Sequence, residues 1–337
     1  MMKAMEPIPE PRHAAATRRR HRRWGVGVAL IAAAWAIASR GCANWVAHAL
    51  VDAPNAYRAS DEVINLDNTA LPEGVNEHLR IDVGPSVASL SAWIMDPKSG
   101  VGSDERLTPR ATILLLHGIR DSKESQLGFG RALAAAGYRA VLIDLRGHGR
   151  SSGRWMTYGV TEARDLSQVL DHLQASGRLA GPVGVLGSSY GGSIGLQLAG
   201  IDSRVKAVVA IAPFSHVRDL IRCYARQMNL SWLLTDQEID EGFRKACELT
   251  ACDLDRIDSA ESAARSTAHV LLIHGRDDVN IPCAHSQRIA AAAGDRAELM
   301  LLEGEDHMSI FRDERGVMRD AALDWFARWT ASPQAAP

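Results

Sequence analysis

In the stretch Gly187-Ser188-Ser189-Tyr190-Gly191 only Ser189 has a glycine two positions to either side. The apolar run Val183 to Leu186 leads into it and an apolar, helix-like run follows. At such a strand-to-helix turn, the spacing suits a serine held in a strained backbone so that its hydroxyl projects from the sheet. Glycine is needed at the flanking places because a side chain there would meet the neighbouring strand or helix. Ser188 is then a neighbour on the turn, and Ser193 belongs to the helix.

A serine hydroxyl is a weak nucleophile until a base takes its proton, and the base needs an acid to fix its tautomer. Both types come later in the chain. "LLIHGRDDVNIP" puts Asp277 and Asp278 in the loop after one strand, and "LMLLEGEDHMSIF" puts His307 just after the next. Of the 12 histidines, His307 alone follows the last strand in a Gly-x-x-His context. His117 and His274 precede glycines at strand ends and suit backbone hydrogen bonds, while His148 and His172 read as loop or surface. An oxyanion formed at Ser189 would need donors: the Tyr190 N–H is one, and the Ile119 N–H, after the "LLLHG" strand, is the second.

Several elements must hold these groups. "ATILLLHG", "AVLIDLRG", "VGVLGSS", "VKAVVAIAP" and "HVLLIHG" are continuous apolar runs without a polar face, as in parallel strands covered on both sides. "HLRIDVG" and "ASLSAWIM" alternate apolar with polar residues and predict a leading antiparallel hairpin. Helical runs with apolar residues three and four apart lie between the strands, several ending at glycine. The pattern predicts an α/β fold with a mostly parallel, doubly wound sheet, whose catalytic groups gather at the carboxyl ends of the strands. An insertion over 215–268 breaks the rhythm; it carries two helix-like stretches and reads as a lid. Within it Leu220, Ile221, Tyr224, Met228, Leu230, Trp232, Leu233 and Leu234 either line an acyl pocket or seat the lid on the sheet.

The 337 residues, 46% hydrophobic and 23% charged, suffice for one large core. The net charge of −2 conceals a basic head, since residues 1–23 carry seven Lys and Arg against two Glu. A mildly acidic body behind that head argues against nucleic acid as a partner. The uncharged run Trp24 to Ser39 directly follows the arginines. Residues 24–51 therefore read as a signal anchor, the span continuing into "ANWVAHALV", with the N-terminus cytoplasmic and the body outside; the alternative is a signal peptide cleaved after "AIA". Residues 52–74 read as a linker and 75–332 as the folded domain.

The 5 cysteines make no disulfide framework, although Cys247 and Cys252 are near enough in sequence to bridge in an exported body. No metal motif or complete dinucleotide fingerprint is present, so neither metal nor other cofactor is expected. Oligomeric state is left open.

"LLLHGIRDSKES", "DLRGHGRSSG", "GSSYGG", "IHGRDDVNIP" and "GEDHMSIF", in this order and spacing, resemble the α/β-hydrolase family, especially its esterases, dienelactone-hydrolase-like enzymes and serine aminopeptidase-like proteins. The resemblance spans roughly residues 75 to 332. It implies the α/β-hydrolase fold with Ser189 as nucleophile, His307 as base, and Ile119 and Tyr190 as oxyanion donors. The His-Gly-x-x-Asp pattern points to Asp278 as the acid. Serine at the elbow departs from relatives that cleave carbon–halogen bonds with an aspartate. A small acyl substrate is expected, an ester first and a peptide or amide second. The alternative from another class is a catalytically silent, membrane-tethered binding module.

Overall fold

The computed structural model describes residues 42–55, 70–98, 107–227 and 236–331. One eight-stranded sheet runs through it in the order β1-β2-β4-β3-β5-β6-β7-β8. Its strands are β1 Glu77–Val83, β2 Ala88–Met95, β3 Thr112–Leu116, β4 Arg139–Ile143, β5 Val183–Ser188, β6 Val205–Ile211, β7 His269–Gly275 and β8 Ala297–Leu302. β2 pairs antiparallel with β1 and with β4, and every later pairing is parallel. This is the mostly parallel sheet led by an antiparallel pair that the hairpin and the apolar runs predict, and it agrees with the α/β-hydrolase fold that the motif resemblance implies.

The central strands are apolar on both faces because both are covered. Leu114 and Leu116 of β3 join the core on one face, with Leu166 and Leu170 of α3 (Glu162–Ala175) and Ile194 of α4 (Tyr190–Ile201). Ile113 and Leu115 face the other way, toward Leu133 of α2 (Leu127–Ala135) and Trp325 and Phe326 of the last helix, Val317–Trp329. Alternation along one strand thus serves two helical layers.

The insertion contains α5 (Val217–Gln227), α6 (Asp236–Thr250) and a short α7 (Ser259–Arg265), followed after β7 by α8 (Ala284–Ala293) and, at the chain's end, α9 (Val317–Trp329). The start of the insertion is tied to the start of α7 by the Ser259 N–H donating to Ser215 O at 2.8 Å. Arg218 of α5 lies over the Phe243 ring of α6 and pairs with Asp240 and Asp255. Leu220 and Ile221 are buried in the main core and so seat the insertion. The side chain of Tyr224 and residues 228–235 lie outside what is described.

Two expectations near the N-terminus need correction. The anchor assigned to 24–51 does not extend through its last ten residues: Cys42–Val51 form helix α1, docked on the body. Ala47 and Val51 are fully buried, and a Cβ on Gly242 of α6 would stand 2.4 Å from Val46 Cγ1, so the two helices cross in close contact. Burial against protein takes the place of lipid for this segment. Among the described residues no helix is long and apolar enough to cross a membrane; residues 1–41 lie outside them. The linker assigned to 52–74 likewise begins docked, Asn55 donating to Gly149 O and Ser151 O; residues 56–69 are not described. Cys247 and Cys252 are free thiols. The left-handed Ala251 between them ends α6, and Cys252 Sγ lies 3.8 Å from Thr161 Oγ1 instead.

Candidate active site

Ser189 sits between β5 and α4 with φ 49° and ψ −109°, a conformation that L-residues avoid. Two glycines permit it. A Cβ on Gly187 would come 2.3 Å from Gly191 O, and one on Gly191 would come 2.5 Å from Leu116 O at the end of β3. The turn is closed so tightly that backbone fills both places. The Ser189 N–H donates to Ile211 O at 2.7 Å, tying the elbow to β6.

Ser189 Oγ lies 3.2 Å from His307 Nε2, and His307 Nδ1 lies 2.7 Å from Asp278 Oδ2. The three side chains are each buried and come from the carboxyl ends of β5, β8 and β7. Asp277 is exposed, and its backbone N–H bonds Glu305 O. Burial would raise the Asp278 carboxyl, but hydrogen bonds from His274, His307 and the Ile281 N–H outweigh it and hold the group at about 2. Asp278 therefore stays ionised at any neutral pH, and its Oδ2 fixes the proton of His307 on Nδ1. Nε2 then faces Ser189 as an acceptor.

His274 makes the backbone bond expected of it, to Ile281 O at 2.7 Å, and also lies 3.3 Å from Asp278 Oδ2. Ser193 both donates to Phe214 O and accepts from the Phe214 N–H, a structural pair. The Tyr190 ring is fully buried and its hydroxyl donates to Glu162 Oε1 at 3.0 Å. Its N–H opens α4, and Ile119 follows β3 beside Ser189 on the wall of a cleft of about 500 Å³. Phe129, Met308 and Phe311 give this cleft an apolar side, while Arg120, Asp121, Gln126 and Asn280 add polar groups. No described residue of the insertion lines it.

Sequence reasoning missed what lies beneath the 118–123 loop. Lys123 is fully buried: its ammonium pairs with Asp144, donates to Ser91 Oγ at 2.9 Å and lies 4.4 Å from the Trp93 ring centre. Its backbone N–H donates to Asp144 Oδ1 at 2.7 Å, so one carboxylate anchors both ends of the residue. Lysine in a polar stretch gives no sequence sign of burial. His148, read from the sequence as loop or surface, is also buried; burial first, then the charge of His117, lowers it to about 3. Lys123→Met would leave Asp144 charged and unpaired in the interior, at a cost of about 3–5 kcal/mol. Denaturant unfolding monitored by tryptophan fluorescence would read this as a lowered midpoint, and an unchanged midpoint would refute it.

A family model described as alpha/beta hydrolase fold matches residues 111–270. The uncharacterized protein YqkD of Bacillus subtilis is 25% identical over 223 residues, 64% of this chain and 70% of that one. A putative protein-lysine deacylase of Rattus norvegicus is 37% identical over 123 residues, 35% of this chain and 56% of that protein's length. Among solved structures, an esterase of Pyrococcus furiosus superposes with a TM-score of 0.58 at 19% identity, over 83% of this chain and 98% of its own. An acylaminoacyl peptidase of Pyrococcus horikoshii gives 0.54 at 18%, over 79% and 44%. At these identities the two structural likenesses are of fold.

Proposed function

We propose that this chain, whose residues 111–270 match the family model described as alpha/beta hydrolase fold, is a serine hydrolase that cleaves carboxylic esters through Ser189, His307 and Asp278. The observation that carries this reading is the unbroken line of contacts from Ser189 Oγ to His307 Nε2, at 3.2 Å, and from His307 Nδ1 to Asp278 Oδ2, at 2.7 Å. Ser189 Oγ attacks the carbonyl carbon while His307 Nε2 takes its proton. The carbonyl π electrons move onto oxygen, where the Ile119 and Tyr190 N–H groups receive the negative charge. As the carbonyl re-forms, the bond to the leaving group breaks, and His307 gives its proton to the departing oxygen. Water then attacks the acyl-Ser189 ester, yields its proton to His307 and releases the acid as Ser189 recovers the proton.

An amide-cleaving reading is supported by the relative described as a putative protein-lysine deacylase, and the same residues would serve it. Esters come first because an alkoxide leaves more readily than an amide nitrogen. A fluorophosphonate probe tests the nucleophile, since phosphonylation needs an activated serine. Stoichiometric labelling mapped to the peptide carrying Ser189 is the expected result; a folded protein that resists labelling would be a silent module.

A further inference from the structure

Arg120 is a non-glycine residue at φ 58°. It is the third residue of a turn that the Asp121 N–H closes onto Gly118 O at 3.4 Å, a place that favours glycine or asparagine. Its side chain is exposed and contributes to the cleft wall beside Ile119, Ser189 and His307. Other arginines of the fold have carboxylate partners: Arg139 has Asp96, and Arg146 has Asp165. Arg120 has no hydrogen bond or ion pair among the described residues. The adjacent Asp121 directs Oδ1 to the Ser122 N–H instead, at 2.8 Å. The fold thus holds an uncompensated guanidinium, in an unfavoured backbone conformation, next to a proposed oxyanion donor.

We propose that the cleft selects acyl substrates that carry an anionic group paired with Arg120. This rests on the hydrolase reading above and names its substrate class. The apolar remainder of the substrate lies along Phe129, Met308 and Phe311. Carboxylate and phosphate share the chemistry that Arg120 recognises, and each takes two parallel N–H donors well.

The test compares 4-nitrophenyl esters of matched length: adipate with a free terminal carboxylate, the same adipate capped as its methyl ester, and 6-phosphonooxyhexanoate. Wild-type protein should favour an anionic ester over the capped one by about tenfold in kcat/KM, chiefly through KM, and less at high salt. The better of the two anions identifies the group. In Arg120→Gln the anionic-to-neutral ratio should fall to near one, and Arg120→Lys should retain part of it. Arg120→Gly, which suits the positive φ, should lose the preference while folding normally, so the result does not depend on one variant's stability. A wild-type preference for the capped ester, or equal ratios in wild type and Arg120→Gln, overturns the inference and leaves the hydrolase reading standing. Failure of wild-type protein to cleave any ester, with no fluorophosphonate labelling, overturns both.

Discussion

Ser189→Ala lowers kcat for an aryl ester by about 10⁴–10⁶-fold while the protein stays folded. The substitution removes one oxygen from a nearly buried side chain and leaves the elbow's backbone bonds in place, because they run through the Ser189 N–H to Ile211 O. Alanine bears a Cβ as serine does, so φ 49° is no harder for it. The lost contact to His307 is one hydrogen bond, and stability should change by about 1 kcal/mol. Residual turnover somewhat above the water rate is expected, because the Ile119 and Tyr190 N–H groups remain to receive charge. Steady-state kinetics decides the matter, with unfolding curves as the control. A variant that keeps a tenth of wild-type kcat would remove Ser189 from the chemistry.

Asp278→Asn costs about 10⁴-fold in kcat through a different route. Asn retains an oxygen for the Asn280 and Ile281 N–H groups, which donate to Oδ1 at 2.9 and 2.7 Å. At the Oδ2 position it offers an NH₂, which cannot accept from His307 Nδ1. The imidazole then moves its proton to Nε2 and faces Ser189 as a donor, unable to take the hydroxyl proton. The variant should therefore still fold, with KM little changed and kcat lost. Loss of both parameters together with a collapsed unfolding midpoint would show a structural role instead.

Asp278 also has a signature in stability. Its folded pKa of about 2 lies below the ordinary 3.8. The stabilisation is present above pH 4 and is lost as pH falls from about 4 toward 2, amounting to about 2 kcal/mol. Asn at this position removes that dependence.

The strands and the ends that carry Ser189, Asp278 and His307 are legible in the sequence because buried parallel strands leave long apolar runs and the elbow leaves its glycines. Gly187 and Gly191 have a purely steric cause, and steric causes survive in residue identity. The fate of α1 is not legible: "ANWVAHALV" is as apolar as a membrane run, and only the groove around Gly242 makes protein its neighbour. Lys123, His148 and Glu162 escape for the opposite reason. Polar residues acquire buried partners such as Asp144 and Tyr190 from distant parts of the chain, and no local pattern records that. Asp277 and Asp278 are neighbours that only the family's His-Gly-x-x-Asp pattern tells apart in the sequence; in the fold, the turn buries Asp278 and exposes Asp277.

Helix α1 sets where the chain enters the fold. Because Val46 lies in the groove at Gly242, everything before residue 42 joins the body beside α6, within about one helix diameter of the inserted segment. The cleft at Ser189 is walled by residues outside α1 and α6. Tension on the preceding segment, whatever it is joined to, would be borne first by the α1–α6 crossing and by the Asn55 and Tyr158 side chains that hold its exit. Through Tyr158, whose ring packs edge-on against that of Tyr190 at 5.7 Å, the exit of α1 is also in contact with the helix that follows Ser189.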